Sequence, residues 1–373
     1  MITDFDLTIL VQPLLEWYEK NARVLPWRED TSPYRVWVSE IMLQQTRVEA
    51  VKPYFERFIR KLPDVKALAQ CPEDELLKLW EGLGYYNRVR NMQKAAIQVM
   101  EEYGGVLPAD YGKLLELKGI GSYTAGAIAS IAYKIPVPAV DGNVFRILTR
   151  AALDDTDIAK ASFRKLVEAE LTEVMQGMTD PGSFNQALME LGATVCVPNG
   201  APACGRCPWG KFCLALKKGR ILDFPVKSKA KERRIEHRTV LVIRDHDKIA
   251  IRRRPKKGLL AGLYELPNLE GVYSPEEIIE IVKKMNLSPI RVKKLEDAKH
   301  IFSHIEWRME GYAVLVEEAD FESEKCENKK KEKDPLIFVD AKNSAEKYAI
   351  PSAFVAYAKY MNMKLGRDRF LDD

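Results

Sequence analysis

The chain is 373 residues long, 46% hydrophobic and near charge balance, with a net charge of +4. That length exceeds one ordinary domain and suits two, each with its own packed core, while so small a net charge does not by itself mark a nucleic-acid binder. The sequence shows no signal-peptide pattern and no long apolar run, which reads as a soluble, cytoplasmic protein rather than a membrane or secreted one, and six cysteines are too few for a disulfide scaffold of this size.

Residues 5–20 have the spacing of an amphipathic helix. Leu-Pro-Trp-Arg (25–28) breaks it and leaves Trp27 and Arg28 at the head of the next unit. Pro33 opens a predicted helix running through Val36, Trp37, Ile41 and Leu43, since its ring suits a first helical turn. Glu40 falls inside that apolar run, and is either on a wet face or buried at a cost that raises its pKa. Gln44, Gln45 and Thr46 follow, with hydrogen-bonding reach but no charge. Helical spacing resumes over 47–61 and 73–80, ahead of Gly82-Leu83-Gly84-Tyr85-Tyr86 and Asn87-Arg88-Val89-Arg90. Aromatics beside arginines on a glycine loop suit stacking or wedging against bases, and equally a loop that packs a core.

Further helices are expected over 91–103 and 112–117. Lys118-Gly119-Ile120-Gly121 then leads into an Ala-rich helix over 122–133. Two helices joined by a tight glycine turn make a helix–hairpin–helix, whose N–H groups and second helix N-terminus can hold an anion without side-chain charge. Pro136 and Pro138 stop the Ala-rich helix, and Asp141 stands where a helix over 142–152 begins. An N-cap is an ordinary place for an Asp. The same position favours its ionised form, so Glu40 in an apolar setting and Asp141 at a helix N-terminus are expected to have pKa values pushed apart, one acid and one anion.

Helices over 158–177 and 183–195 precede Cys196, Cys204, Cys207 and Cys213, spaced C-x7-C-x2-C-x5-C. One close pair flanked by single cysteines suits an iron–sulfur cluster better than zinc. Cys71 and Cys326 stand apart and read as ordinary thiols. From Lys217 to Arg238 basic residues outnumber acidic ones nine to three, and Arg252-Arg253-Arg254 with Lys256-Lys257 follows. The stretch is a solvated linker or a seam facing a polyanion.

Beyond it the texture becomes α+β. Thr239–Ile243 and Ile249–Arg253 read as a hairpin, 275–286 as a helix, 291–296 and 312–316 as strands, and 317–334 as a loop or charged hairpin tip. Leu336–Val339 returns as a strand and 351–361 as a closing helix, while His300-Ile301-Phe302-Ser303-His304 has the look of a strand end.

Taken in order, Leu-Pro-Trp-Arg, Val-Ser-Glu-Ile-Met-Leu-Gln-Gln-Thr (38–46), Glu-Gly-Leu-Gly-Tyr-Tyr (81–86), the hairpin, Val-Asp-Gly-Asn (140–143), the four cysteines and Phe-Ser-His (302–304) resemble the MutY adenine DNA glycosylases. These belong to the helix–hairpin–helix base-excision superfamily that includes endonuclease III. The likeness spans nearly the whole chain. It implies a multidomain protein: an all-α glycosylase domain over 1–216, with a six-helix barrel module at about 27–134 and a cluster module from 1–26 and 135–216. A basic linker at 217–234, an α+β Nudix-like domain at 235–365 and a tail at 366–373 complete it.

The resemblance implies a monomeric, nucleoid-associated enzyme that flips adenine mispaired with 8-oxoguanine out of duplex DNA and hydrolyses its glycosidic bond. Glu40 would protonate the base and Asp141 would stabilise the sugar cation or trap it covalently, with Tyr123 and Asn143 orienting the two carboxylates. Trp27, Arg28 and Gln186 would line the adenine pocket. Leu43, Gln44, Gln45, Thr46, Leu83 and Tyr85 would meet the opened duplex, Gln45 and Tyr85 as wedges and Thr46 and Leu83 at the 8-oxoguanine. Lys118, Gly119 and Gly121 would grip its backbone. Cys196, Cys204, Cys207 and Cys213 would hold a 4Fe-4S cluster, and Phe302, Ser303 and His304 would recognise 8-oxoguanine. A clamp or mismatch-repair protein is a candidate partner for the basic linker.

Strand-cutting relatives carry a lysine where this chain has Tyr123, which implies base removal alone. Two departures stand out. Gly262-Leu263-Tyr264-Glu265-Leu266-Pro267 resembles the entry to a Nudix box, but Glu276, Glu277 and Glu280 do not reproduce its magnesium-binding spacing, which argues against a Nudix hydrolase. The family has six residues between its first two cluster cysteines and this chain has seven, Val197 to Ala203, with Pro198, Gly200 and Pro202 placed to loop the extra one out. The competing readings are a thymine- or uracil-removing glycosylase, and an iron–sulfur DNA-binding module without catalysis.

Overall fold

The computed structural model describes residues 1–228, 232–317, 335–362 and 365. Contacts divide the chain into two units: Met1–Gln70 with Arg90–Lys229, and Cys71–Val89 with Ala230–Asp373. The second unit thus takes in a short helix and the glycine loop after Gln70. The run 317–334 beyond Glu317, with Cys326, and the tail 366–373 lie outside the described residues. No helix among the described residues is long and apolar enough to cross a membrane.

In chain order the helices are α1 (Val11–Asn21), α2 (Pro26–Glu29), α3 (Pro33–Leu43), α4 (Val48–Lys61), α5 (Val65–Gln70), α6 (Glu73–Leu79), α7 (Asn87–Glu102), α8 (Tyr111–Glu116), α9 (Ser122–Tyr133), α10 (Gly142–Ala152), α11 (Ala161–Met175), α12 (Pro181–Thr194) and α13 (Leu214–Lys217). Of these α6 and the first turn of α7 fall in the second unit. Pro33 occupies the first turn of α3 as expected, and Asp110, Asp141 and Asp180 cap α8, α10 and α12 with their side chains. Leu10, Leu14, Val144, Ile147, Leu148, Phe163, Val167 and Leu188 form one core, each such burial contributing about 1.5–3 kcal/mol.

Several boundaries differ from the sequence reading: the strands expected from 239 and 312 begin earlier, at Arg234 and Ile305, and the helix expected from 91 begins at Asn87. The helix expected over 5–20 starts at Val11, because Asp6 accepts from Thr8 N–H and leads into a 3-10 turn over Leu7–Leu10. The helix expected from 158 starts at Ala161, because Ile158 N–H is donated to Val226 O at 3.1 Å. The closing segment, Ser352–Tyr360, is a 3-10 helix with i to i+3 bonds such as Phe354 N–H to Pro351 O.

In the second unit the strands are β1 (Arg234–Asp245), β2 (Lys248–Arg253), β3 (Tyr264–Glu265), β4 (Asn268–Glu270), β5 (Pro289–Lys294), β6 (Ala298–Ile301), β7 (Ile305–Val316) and β8 (Leu336–Val339), with helices α14 (Pro275–Lys284) and α15 (Ala341–Lys347). They form one sheet in the order β3-β2-β1-β7-β5, with β4 on β1, β6 on β7 and β8 on β2. β1 and β7 run parallel, Arg234 opposite Ile305 through Arg244 opposite Leu315, and β1 and β2 make the expected hairpin. Both faces of β1 are buried: Val240 and Val242 face the 3-10 segment's core, Leu241 and Ile243 the core under α14.

Candidate active site

Packing of α3 on α9 brings Glu40 and Tyr123 together, and the Tyr123 hydroxyl donates to Glu40 Oε2 at 2.5 Å. Glu40 is only 6% exposed, which resolves the choice the sequence left between a wet and a buried residue. Burial pushes its pKa up to about 7, with the negative charge of Asp141 acting the same way and the Tyr123 hydrogen bond and Arg28 opposing. Near neutral pH, much of Glu40 therefore keeps its proton. Burial likewise holds the Tyr123 hydroxyl well above the usual phenol range, so it remains a donor. Met189 Sδ lies 3.5 Å from the same hydroxyl.

Asp141 is the N-cap of α10. Its Oδ1 accepts from the backbone N–H of Asn143 at 2.8 Å and of Val144 at 2.9 Å, and its Oδ2 from Asn143 Nδ2 at 2.7 Å. The charge expectation needs correcting here. Burial raises the Asp141 pKa above the usual carboxylate value despite these bonds and Arg146, so both carboxylates shift upward rather than apart. Loss of water outweighs what the first turn of α10 returns. The asymmetry between them lies in the donors: three N–H groups aim at Asp141 and one hydroxyl at Glu40. The anion of the pair is accordingly best held at Asp141.

Behind Asp141 runs a polar chain that the motifs did not disclose. Arg146 Nη2 donates to Asn143 Oδ1 at 2.7 Å and to Gly192 O at 2.9 Å, and Arg146 Nε to Cys196 O at 2.9 Å. A Cβ on Gly192 would stand 2.6 Å from Asn143 Cβ, so the approach of α12 to α10 requires glycine. A cavity of about 660 Å3 adjoins this chain, with Asp141, Arg146, Arg150, Pro198, Gly200 and Lys227 in its walls. Two of those, Pro198 and Gly200, come from the loop with the extra residue, whose ends are tied by Ala203 N–H to Val195 O at 3.0 Å.

Arg28 is held by Glu190, which also takes Arg23: Arg28 Nη2 reaches Glu190 Oε2 at 2.8 Å and Arg23 Nε reaches Oε1 at 2.6 Å. Glu190 is almost fully buried. Its signal in the sequence was a Glu inside an apolar helix, the same signal that singled out Glu40. Trp27 is buried with its ring edge-on to Phe55 at 5.5 Å. Gln186 lies half-buried on α12, three and four residues before Met189 and Glu190 and so on their side of the helix. Leu43 ends α3, Gln44 Nε2 stands 3.5 Å from Thr124 Oγ1, Gln45 adopts φ +59°, and Thr46 Oγ1 donates to Gln44 O at 3.4 Å.

The hairpin is present between α8 and α9. Lys118 is exposed and Gly119 takes φ +81°, where a Cβ would also meet Asn91 Cβ at 2.7 Å. Gly121, at the N-cap of α9, offers no side chain to the first N–H groups of that helix, which leaves them to an outside partner.

In the second unit Leu83 is buried and Tyr85 is 52% exposed at φ +47°. Ser303 and His304 form the exposed turn between β6 and β7, closed by Phe302 N–H to Ile305 O at 2.8 Å. Phe302 packs edge-on against Trp307 and His300, at 5.0 and 4.7 Å. β6 itself was not foreseen, and it makes the motif a hairpin turn rather than a plain strand end. Glu277 caps α14 with Ser274, and Glu280 pairs with Lys283.

All four cysteines of the motif line one small cavity, together with Arg150, Val195 and Leu216. Arg150 Nη1 donates to Cys196 Sγ at 3.2 Å and to Val197 O at 3.1 Å. Among the described residues no group of three or more His, Cys, Asp or Glu side chains has the geometry of a bound metal ion. In donor type the set fits an iron–sulfur cluster: four thiols line one cavity, with the Arg150 guanidinium beside them.

Residues 38–174 match the HhH-GPD superfamily of base excision DNA repair proteins, and residues 239–360 match the NUDIX domain. The chain is 35% identical to an adenine DNA glycosylase of Mus musculus over 84% of this chain and 72% of that one. An adenine DNA glycosylase of Buchnera aphidicola is 36% identical over 80% of this chain and 86% of its own, and one of Homo sapiens 33% identical over 84% and 68%. Among solved structures, a thermostable thymine-DNA glycosylase matches with a TM-score of 0.50 and 26% identity, covering 57% of this chain and 100% of its own. Relatives in the superfamily of MutY and endonuclease III commonly carry an iron–sulfur cluster. A helix–hairpin–helix unit, a Nudix-like sheet and this identity over most of both chains lead to one conclusion: the chain belongs to the adenine DNA glycosylase family.

Proposed function

We propose that the protein removes adenine standing opposite 8-oxoguanine, or opposite guanine, in duplex DNA. The observation that carries this reading is the buried Glu40, held by Tyr123 beside a hydrogen-bonded Asp141. The target base leaves the stack because its glycosidic bond is shielded within the duplex. Glu40, neutral in the enzyme, donates its proton to the adenine ring and makes it a leaving group. Asp141 faces the positive charge that grows on the sugar as the bond stretches, much as the second carboxylate of a glycosidase does. Water completes the hydrolysis, with Glu40 positioned to take its proton.

Trp27, Arg28 and Gln186 line the base pocket in this reading, and Gly119, Gly121 and Lys118 grip the backbone. Because Tyr123 stands in place of an amine, the reaction stops at base removal. A duplex with adenine opposite 8-oxoguanine should stay intact after incubation and be cut only on alkali treatment; cutting before alkali would contradict this part of the account. The solved thymine-DNA glycosylase matches 57% of the chain, whereas the adenine-specific relatives extend over both units. That difference supports adenine as the substrate.

Phe302, Ser303 and His304 read the 8-oxoguanine, their turn offering an aromatic ring braced edge-on by its neighbours and two exposed polar side chains. Replacing both Ser303 and His304 by Ala should narrow the preference for 8-oxoguanine over guanine by about tenfold, the worth of one or two net hydrogen bonds. An unchanged ratio of single-turnover rates would count against the role.

Cys196, Cys204, Cys207 and Cys213 would hold a 4Fe-4S cluster, which would cross-link the segment 196–213 internally, while Arg150 of α10 donates to Cys196 Sγ. Purified protein should be brown with about four irons per chain, the content of a 4Fe-4S rather than a 2Fe-2S cluster on four thiolates. Colourless or zinc-loaded protein would rule it out.

A further inference from the structure

Asp74, Lys78 and Glu81 are spaced i, i+4, i+7 along α6 and the turn after it, and so lie on one face. Within the second unit that face is tied at each residue. Asp74 Oδ1 receives Arg253 Nη2 at 2.6 Å, an exposed pair of small energetic weight. Lys78 Nζ donates to Ser344 O at 3.1 Å and Tyr348 O at 2.8 Å, so its charge meets the carbonyl end of α15. Its ammonium also pairs with Glu81 Oε2 at 2.8 Å, with Lys78 14% and Glu81 2% exposed. Glu81 Oε1 accepts from Ile350 N–H at 2.9 Å.

Two further sets of contacts extend this tie. Toward the loop, Trp80 Nε1 donates to Gly84 O at 3.1 Å, and Arg88 Nη2 donates to Leu83 O at 3.0 Å and Gly84 O at 3.2 Å. The loop's carbonyls are thereby clamped while the Tyr85 ring stands out to solvent. Toward the sheet, Tyr264 N–H on β3 donates to Ala349 O at 3.0 Å, and the Tyr264 and Tyr348 rings meet edge-on at 4.7 Å. β3 connects through β2 and β1 to β7, which begins at the Phe302–His304 turn.

We propose that Lys78 and Glu81 are positioning residues that fix the Leu83–Tyr85 loop to the sheet carrying the Phe302–His304 turn. Reading of 8-oxoguanine and entry of the loop into the duplex then occur as movements of one body. The assignment rests on the reading above, in which the turn recognises the lesion and the loop meets the opened duplex. Neither Lys78 nor Glu81 touches substrate in it. A buried charge pair contributes little net stability, yet losing one member strands the other, so the informative variants change both.

The full chain carrying Lys78→Met with Glu81→Ala loses the tie. Its preference for 8-oxoguanine over guanine opposite adenine, in single-turnover rates, should fall about fivefold or more, at the low end of ordinary coupling energies, with guanine·adenine turnover kept within about twofold. Lys78→Met with Glu81→Gln keeps an acceptor for Ile350 N–H but not the Lys78 bonds to Ser344 O and Tyr348 O, and should recover only part of the preference. If Ser303→Ala with His304→Ala narrows the preference and the tie variant leaves it unchanged, the positioning role is wrong. If Ser303→Ala with His304→Ala itself changes nothing, the underlying lesion-reading assignment fails instead. Should the tie variant not fold, hydrogen exchange on the unmodified chain decides the matter. Amides 82–86 should gain protection together with 301–305 on an 8-oxoguanine·adenine duplex, and both should gain less on guanine·adenine. Protection of 82–86 that is the same on both duplexes would overturn the proposal.

Discussion

Glu40→Gln should lower adenine release opposite 8-oxoguanine by about a thousandfold or more, within the range a general acid supplies. Glutamine keeps the size of Glu40 and an acceptor for the Tyr123 hydroxyl, but has no proton to give. The native enzyme should show the same dependence on pH. With the Glu40 pKa raised to about 7, the rate should be level below that value and fall with rising pH as the acid form disappears. Stability should move in the same direction. A carboxyl whose folded pKa is raised from 4.5 to about 7 contributes fully below the lower value and loses its contribution as pH rises through the higher one, a swing on the order of 3 kcal/mol. The Gln variant should therefore melt above the native protein at pH 8 and close to it at pH 4. A variant that is inactive and also less stable at pH 8 would point to a structural role for Glu40 rather than an acid.

Asp141→Asn should cost about a hundredfold or more in the same assay, the range seen when one group stabilising transition-state charge is removed. Asparagine caps helices as well as aspartate does, so its side-chain oxygen can still take the N–H groups of Asn143 and Val144, and the melting temperature should change little. The negative charge facing the sugar is lost, and the new amide nitrogen points a donor at Asn143 Nδ2, now 2.7 Å from Asp141 Oδ2. Binding of uncleaved duplex should persist. If activity fell only in proportion to the folded fraction, Asp141 would be a cap and nothing more.

The elements that hold the site were legible because their signals are local. Pro33 at the head of α3, the glycines between α8 and α9, and the Asp141 cap each act within one helical turn. The fate of Glu40 was not legible, because an acid in an apolar run has the same spacing whether the facing helix covers it or not. What decides is α9, eighty residues on. The Asp141 charge was misread for the same reason: the cap is local, but the loss of water depends on what packs against α10. Arg146 and Glu190 went unnoticed since their partners Cys196 O, Gly192 O, Arg23 and Arg28 come from distant segments. β6 escaped because four residues without alternating apolar character become a strand only by pairing with β7. Placement of Lys78 and Glu81 against 344–350 likewise has no trace in the sequence.

The central claim is the identity of the base removed. Matched duplexes carrying adenine opposite 8-oxoguanine, thymine opposite guanine and uracil opposite guanine, each end-labelled, incubated with the protein and treated with alkali, test it most directly. The account predicts cleavage at adenine, slower cleavage when guanine replaces 8-oxoguanine, and intact thymine and uracil strands. Efficient cleavage at thymine or uracil with adenine left in place would contradict it.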